Sequence, residues 1–192
     1  MPTDPVLRFR RWFEQARRAG IELPEAMALA TADVKGRPSV RFVLMKKIDR
    51  SGLVFFTNEG SRKGRELGVN PHAAAAFHWD RLHRQVRIEG RVERIAAAEA
   101  NAYWRTRPRA SQLAALASDQ SAELAHRAAL VGRWRALAAR HRGQEVPRPP
   151  QWTGFRIVLQ SFEFWTHRAH RLHDRELFVR TPRGWRRKLL QP

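Results

Sequence analysis

Apolar positions along the chain switch between a helical and a strand period, and each switch marks an element. Leu7, Trp12, Phe13 and Ala16 share one side of a first helix within residues 1–20, opened by Thr3-Asp4-Pro5 with Asp4 as cap. Residues 26–32 read as a strand, and Lys35-Gly36-Arg37-Pro38 as the turn into a second strand. That second strand covers 40–48 and is β-branched and apolar apart from Arg41 and Lys46. Asp49-Arg50-Ser51-Gly52 is a turn tetrad, 53–57 a third strand, and Asn58-Glu59-Gly60 the break after it. Ser61 then stands at the N-cap of a short helix. Strands follow at 73–79 and 84–95, the latter alternating Val86 and Ile88 against Arg87 and Glu89.

The second half begins with a helix over 96–106, and Pro108 starts another, because the residue before proline is pushed away from helical geometry. Residues 121–141 read as one long amphipathic helix with Leu124, Val131, Trp134 and Leu137 inward. An internal connector covers 143–152, proline-rich over its first part, and the tail returns to strands at 154–160, 162–166, 174–180 and 184–190. Strands in antiparallel order with helices inserted as blocks predict a single α+β, barrel-like domain over 1–192. The alternation of a dinucleotide fold is missing, as are G-x-G-x-x-G and a Walker loop. Any nucleotide-like phosphate must therefore be held by side chains and a helix end.

Composition narrows the classes. With 43% hydrophobic and 29% charged residues the chain is globular and not disordered. The absence of cysteine excludes disulfides, thiolate metal sites and a cysteine nucleophile. The N-terminus is charged throughout and no apolar run approaches a membrane span, so a cytoplasmic protein with no membrane partner is expected. The formal charge of +19 suggests nucleic acid, yet the basic residues are scattered from Arg8 to Lys188 rather than gathered on one element. Only five of the 37 are lysine, and two of those, Lys46 and Lys63, fall in the stretch richest in candidate chemistry.

That stretch is 41–65. A helix beginning at Ser61 presents unpaired N–H groups and a positive dipole end to an anion. Arg62 and Lys63 in its first turn oppose that dipole unless an anion is bound; the alternative is a hairpin leading into a basic surface helix. Arg41 and Lys46, five apart, would lie on opposite faces of a regular strand. Tyr103, Arg107 and Ser111 are spaced by four, one stripe if the helix is continuous, and all can donate to phosphate oxygens. Gln120-Ser121 would open the long helix, with Ser121 as cap and phosphate donor.

In an extended segment Arg171, His173 and Arg175 share a face, with Leu172 and Asp174 on the other; a solvated edge strand would give the same pattern. Trp165 precedes them and could stack on a flat ring. His167, His170 and His173 are spaced by three, but that spacing does not converge the rings and arginines surround them, so no metal is expected.

Several segments, in order, carry a family resemblance: RFVLMK at 41–46, FFTN at 55–58, SRK at 61–63, RQV at 84–86, YWRTRPRASQ at 103–112, QS at 120–121, EFW at 163–165 and RLHDR at 171–175. Together they resemble the pyridoxine/pyridoxamine 5′-phosphate oxidases. The resemblance implies an FMN-binding split β-barrel, a homodimer with flavin at the subunit interface, and no nucleic-acid partner. It implies oxidation of pyridoxamine or pyridoxine 5′-phosphate to pyridoxal 5′-phosphate, with oxygen as acceptor and hydrogen peroxide, plus ammonia from the amine, as products. Carried over by position, Arg41, Arg62, Lys63, Gln120 and Ser121 would hold the FMN phosphate and ribityl chain. Phe42, Val43, Leu44, Met45 and Lys46 would pass along the isoalloxazine, with Phe56, Thr57, Gln85, Trp165 and Arg175 completing the cofactor set. Lys46, Tyr103, Arg107 and Ser111 would take the substrate phosphate, and Arg171, Leu172 and His173 would cover the pyridine ring, Arg171 and His173 as catalytic residues. Departures from the family pattern are Phe56 in place of tyrosine, Thr166-His167 in place of Gln-Gly, and a missing arginine in Leu189-Leu190-Gln191-Pro192.

Overall fold

A computed structural model describes residues 4–192. The opening helix α1 (Pro5–Arg18) is capped as the sequence implies, the Asp4 carboxylate accepting from the Val6 N–H at 2.9 Å. Thr3 lies outside the described residues. Helix α1 buries Phe9 and Trp12 among aromatic residues of the sheet, with ring centroids 5.1 Å apart for both Phe9–Phe77 and Trp12–Phe164. Truncating such a buried ring costs about 3–5 kcal/mol, so α1 is part of the core.

The strands are β1 (Ala26–Ala32), β2 (Pro38–Leu44), β3 (Lys47–Asp49), β4 (Gly52–Asn58), β5 (His72–Trp79), β6 (Arg84–Arg94), β7 (Trp152–Thr166), β8 (Asp174–Thr181) and β9 (Gly184–Leu190). All pair antiparallel, in the order β2-β1-β5-β6-β7-β4-β3, with β8 added to β7 and β9 to β8. This is the α+β, antiparallel architecture expected, and the sheet divides at β7. One edge of β7 pairs with β6 along most of its length; the other pairs with β4 over 152–157 and with β8 over 161–166.

The two tail strands expected at 154–160 and 162–166 are therefore one strand of 15 residues. What looked like a break is a bulge: Glu89 faces Ser161 and Gly90 faces Leu159, leaving Gln160 without a counterpart. Glycine is required at position 90, because a Cβ there would sit 1.8 Å from the Val158 carbonyl oxygen.

Four more helices flank the sheet: α2 (Arg62–Val69), α3 (Ala97–Thr106), α4 (Arg109–Ala117) and α5 (Arg127–Arg140). The last differs from expectation. It starts six residues after Ser121, capped by His126, whose Nδ1 accepts from the Ala129 N–H at 3.2 Å. Ser121 adopts a left-handed conformation (φ 72°) in the preceding loop, so it caps no helix, and Leu124 is exposed there instead of facing inward. Trp134 and Leu137 do pack inward, against the cluster formed by Trp104, Leu113, Val146 and Trp152. Among the described residues no helix is long and apolar enough to cross a membrane.

A cationic candidate active site

The ends of β2 and β4, the start of α2 and the α3–α4 junction surround a cavity of about 450 Å³. Arg41, Phe42, Val43, Leu44, Lys46, Phe56, Thr57, Lys63, Tyr103, Arg107, Ser111 and Gln120 all line it. Strand β2 ends at Leu44, and burial keeps alternating past it, Met45 following Arg41 and Val43 inward while Lys46 follows Phe42 and Leu44 outward. Arg41 and Lys46 nonetheless line one cavity, which wraps the end of the strand.

Ser61 caps α2 as expected, its hydroxyl accepting from the Gly64 N–H at 3.3 Å. Lys63, 6% exposed, directs Nζ at three neutral oxygens: Thr57 Oγ1 at 3.1 Å, Ser61 Oγ at 3.3 Å and Gln120 Oε1 at 3.3 Å. Burial, and then the nearby Arg41 guanidinium, lower its pKa to about 8, with Glu66 opposing. A desolvated lysine with only neutral acceptors is an anion site in waiting.

Arg41 is more constrained. Nη1 donates to Leu29 O at 3.0 Å and Thr31 Oγ1 at 2.6 Å; Nη2 donates to Ser39 Oγ and, at 3.3 Å, to Glu66 Oε2. Its Nε–H has no acceptor among the described residues, leaving that donor for a ligand. Arg62 is largely exposed and donates through Nε to Glu66 Oε1 at 2.8 Å. The dipole penalty anticipated for Arg62 is thus relieved within α2 by a carboxylate one turn on.

The Tyr103, Arg107, Ser111 stripe is broken, yet its members converge. Helix α3 ends at Thr106, Arg107 is extended (φ −72°, ψ 143°), and α4 restarts after Pro108. Tyr103 stacks on Phe56 with centroids 4.0 Å apart, and Phe56 on Trp152 at 5.1 Å. The Arg107 guanidinium lies 4.7 Å from the Trp152 ring centre and 5.1 Å from that of Trp104. Its Nη1 is buried with no hydrogen-bond partner, and burial lowers its pKa. Such an orphaned cationic donor costs stability until an acceptor arrives. A second cavity, of about 560 Å³, shares Phe56, Thr57, Arg107, Ser111 and Gln120 and extends along α5 past Arg127 and Trp134.

The remaining predicted residues lie elsewhere. Gln85, Trp165 and Arg175 line a separate pocket of about 240 Å³ with Arg87, Glu163 and Pro192. Arg175 Nε donates to the buried Glu163 at 2.7 Å, which raises the arginine's pKa. The extended reading of 171–175 holds only from Asp174. Residues 169–171 form a 3-10 turn, and both His170 (φ 56°) and Arg171 (φ 62°) are left-handed, so Arg171 and His173 do not share a strand face with Arg175. Arg171 and Leu172 are exposed and His173 is half-buried, its ring 4.6 Å from Trp165 and 5.2 Å from His167. His173 Nδ1 accepts from the Arg168 N–H at 3.1 Å. The neutral ring must therefore carry its proton on Nε2.

Two groups thus exist, one at each end of β7. Trp152 belongs to the first and Trp165 to the second, thirteen residues apart, which at strand rise is roughly 40 Å. Sequence reasoning missed the first group's supports Thr31, Ser39, Glu66 and Trp152. Only Glu66 had a local signal, a carboxylate four residues after Arg62.

Comparison with known proteins fits this picture. Residues 13–141 match the family model described as pyridoxamine 5′-phosphate oxidase, and 152–192 match that of the pyridoxine 5′-phosphate oxidase C-terminal dimerisation region. The chain is 51% identical, over all of its length and 89% of the relative's, to a pyridoxine/pyridoxamine 5′-phosphate oxidase of Sphingopyxis alaskensis. It is 49% identical to one of Myxococcus xanthus, covering 100% and 93% of the two chains. Among solved structures it superposes with a TM-score of 0.95, at 35% identity and 100% and 94% coverage, on PhzG from Burkholderia lata in complex with tetrahydrophenazine-1-carboxylic acid. A pyridoxamine 5′-phosphate oxidase-related, FMN binding protein from Nostoc punctiforme shares the fold at 16% identity, with a TM-score of 0.78 and coverage of 96% and 97%. With cationic anchors in one cavity and sequence matches along the whole chain, the protein is an oxidoreductase belonging to the pyridoxine/pyridoxamine 5′-phosphate oxidase family.

Proposed function

We propose that the protein is a homodimeric, FMN-dependent oxidase of pyridoxamine and pyridoxine 5′-phosphates. One observation carries the reading: two cations lacking any carboxylate partner, the buried Lys63 and the half-buried Arg107 with its enclosed Nη1, line a single cavity from opposite elements. That arrangement suits two phosphate monoesters held a ring's length apart. Lys63, Thr57, Gln120, Arg62 and the free Nε–H of Arg41 would hold the FMN phosphate. Arg107, Tyr103, Ser111 and Lys46 would hold the substrate phosphate. FMN, when bound, would supply a hydride acceptor for the substrate's C4′ and a route for the electrons to oxygen.

The distance between the two groups of residues supports a shared site. Arg171, His173, Trp165, Gln85 and Arg175 would reach the cavity from a second copy of the chain. The edge strand β2 offers a surface for such a copy, presenting Val40 and Phe42, the latter 78% exposed, on its outer side. Arg171 is no base, since a guanidinium stays protonated; it fixes the ring or balances charge. His173, holding Nδ1 against a backbone N–H, presents Nε2–H and so donates to the substrate before it accepts any proton.

The intact Tyr103, Arg107 and Ser111 favour a phosphorylated substrate over the phosphate-free phenazine ligand of the similar Burkholderia protein. The test is direct. Purified protein should be yellow, release FMN on denaturation, and generate peroxide from pyridoxamine phosphate but not from pyridoxamine. A colourless protein with salt-sensitive affinity for DNA or RNA would sink the reading.

A further inference from the structure

Glu66 is a charged residue buried to 5% exposure that the proposed chemistry does not use. Four groups from three elements converge on its carboxylate. Oε2 accepts from Thr31 on β1, from Ser39 on β2 at 2.6 Å, and from Arg41 on β2 at 3.3 Å; Oε1 accepts from Arg62 on α2 at 2.8 Å. Direction in this network is fixed by chemistry, since a guanidinium only donates and a carboxylate only accepts. Arg41 thus donates into the Thr31 and Ser39 hydroxyls, and both hydroxyls donate onward to Glu66.

The consequence is orientation. Both terminal nitrogens of Arg41 are turned inward and held, so Nε–H is the donor left for the cavity. The charge sum matters equally. Arg41, Arg62 and Lys63 offset by Glu66 leave +2, equal and opposite to a phosphate monoester above its second pKa. We propose that Glu66 is the positioning residue of this anion site, fixing Arg41 and Arg62 around the cofactor phosphate and trimming the site's charge to that of a dianion. The proposal rests on the FMN reading above.

A glutamine cannot replace it. The amide oxygen offers two lone pairs where four donors converge, and its NH₂ would confront a guanidinium. The experiment is titration of apoprotein with FMN and with riboflavin, which lacks the phosphate, for wild type, Glu66→Gln and Glu66→Asp. Glu66→Gln should weaken FMN by about tenfold or more, the worth of one charge-assisted hydrogen bond, while riboflavin changes by less than about twofold. Glu66→Asp should recover part of that loss. If FMN and riboflavin weaken together, Glu66 serves the fold alone and the proposal falls; it falls equally if the FMN-to-riboflavin ratio is unchanged or rises in Glu66→Gln. A wild-type protein without preference for FMN over riboflavin would instead overturn the cofactor reading itself.

Discussion

Lys63 makes flavin binding a titration. Its pKa in the folded protein is lowered from 10.5 to about 8 by burial and by Arg41. At neutral pH the ammonium is retained against a penalty of roughly 3 kcal/mol, from about 1.4 kcal/mol per unit. A phosphate dianion beside Nζ returns the pKa toward its ordinary value. The sign follows from linkage: the bound state favours the protonated lysine, so affinity is fully present below about pH 8 and is lost as pH rises through and above that value. Between pH 7 and pH 9 the dissociation constant for FMN should rise about tenfold, the factor for one group deprotonated one unit above its pKa. The FMN phosphate is already dianionic above pH 7 and adds no slope. Fluorescence titration of apoprotein measures the constant, with riboflavin as the control for ring ionisation. Lys63→Met should bind FMN weakly and without this slope. A wild-type affinity that stays flat to pH 9, or a slope that persists in Lys63→Met, would refute the reasoning.

The other predictions concern the second anchor, the partner and the network. Arg107→Ala should raise KM for pyridoxamine phosphate about 10–100-fold, the value of a charged hydrogen bond, with FMN affinity unchanged; a KM within error of wild type would reject the substrate-phosphate set. Arg171→Ala should lower kcat while the flavin spectrum stays normal. If each site draws on two chains, mixing the inactive Lys63→Met and Arg171→Ala proteins should recover about one quarter of wild-type activity, since half the dimers carry one intact site of two; no recovery after subunit exchange would place both groups in one chain. Arg41→Ala should yield colourless apoprotein and also lose about 1–3 kcal/mol of stability on a denaturant curve, because Thr31 and Ser39 lose their guanidinium donor while Glu66 keeps Arg62.

Much of this was legible because local pattern and global fold agree. The strands at 26–32 and 184–190 coincide with β1 and β9, and the caps at Asp4 and Ser61 stand where they were read. The misreadings share a cause: each assumed a regular backbone through an irregular residue. Alternation aligned 171 with 175 only if 170 and 171 were extended. The bulge at Gln160 mimicked a strand end, and Ser121 was a better-looking cap than His126. Glu66 was invisible for another reason. Its partners Thr31, Ser39 and Arg41 are 25–35 residues away, and nothing in a one-dimensional pattern pairs them.

The fifteen-residue β7 has one more implication. A continuous strand with an aromatic gripping point at either end behaves as a ruler between its two groups of residues, with the bulge at Gln160 part of its length. Removing one paired residue would shorten it by about 3.3 Å and turn Trp165 over to the opposite side. The strand's length is therefore held by both ends at once.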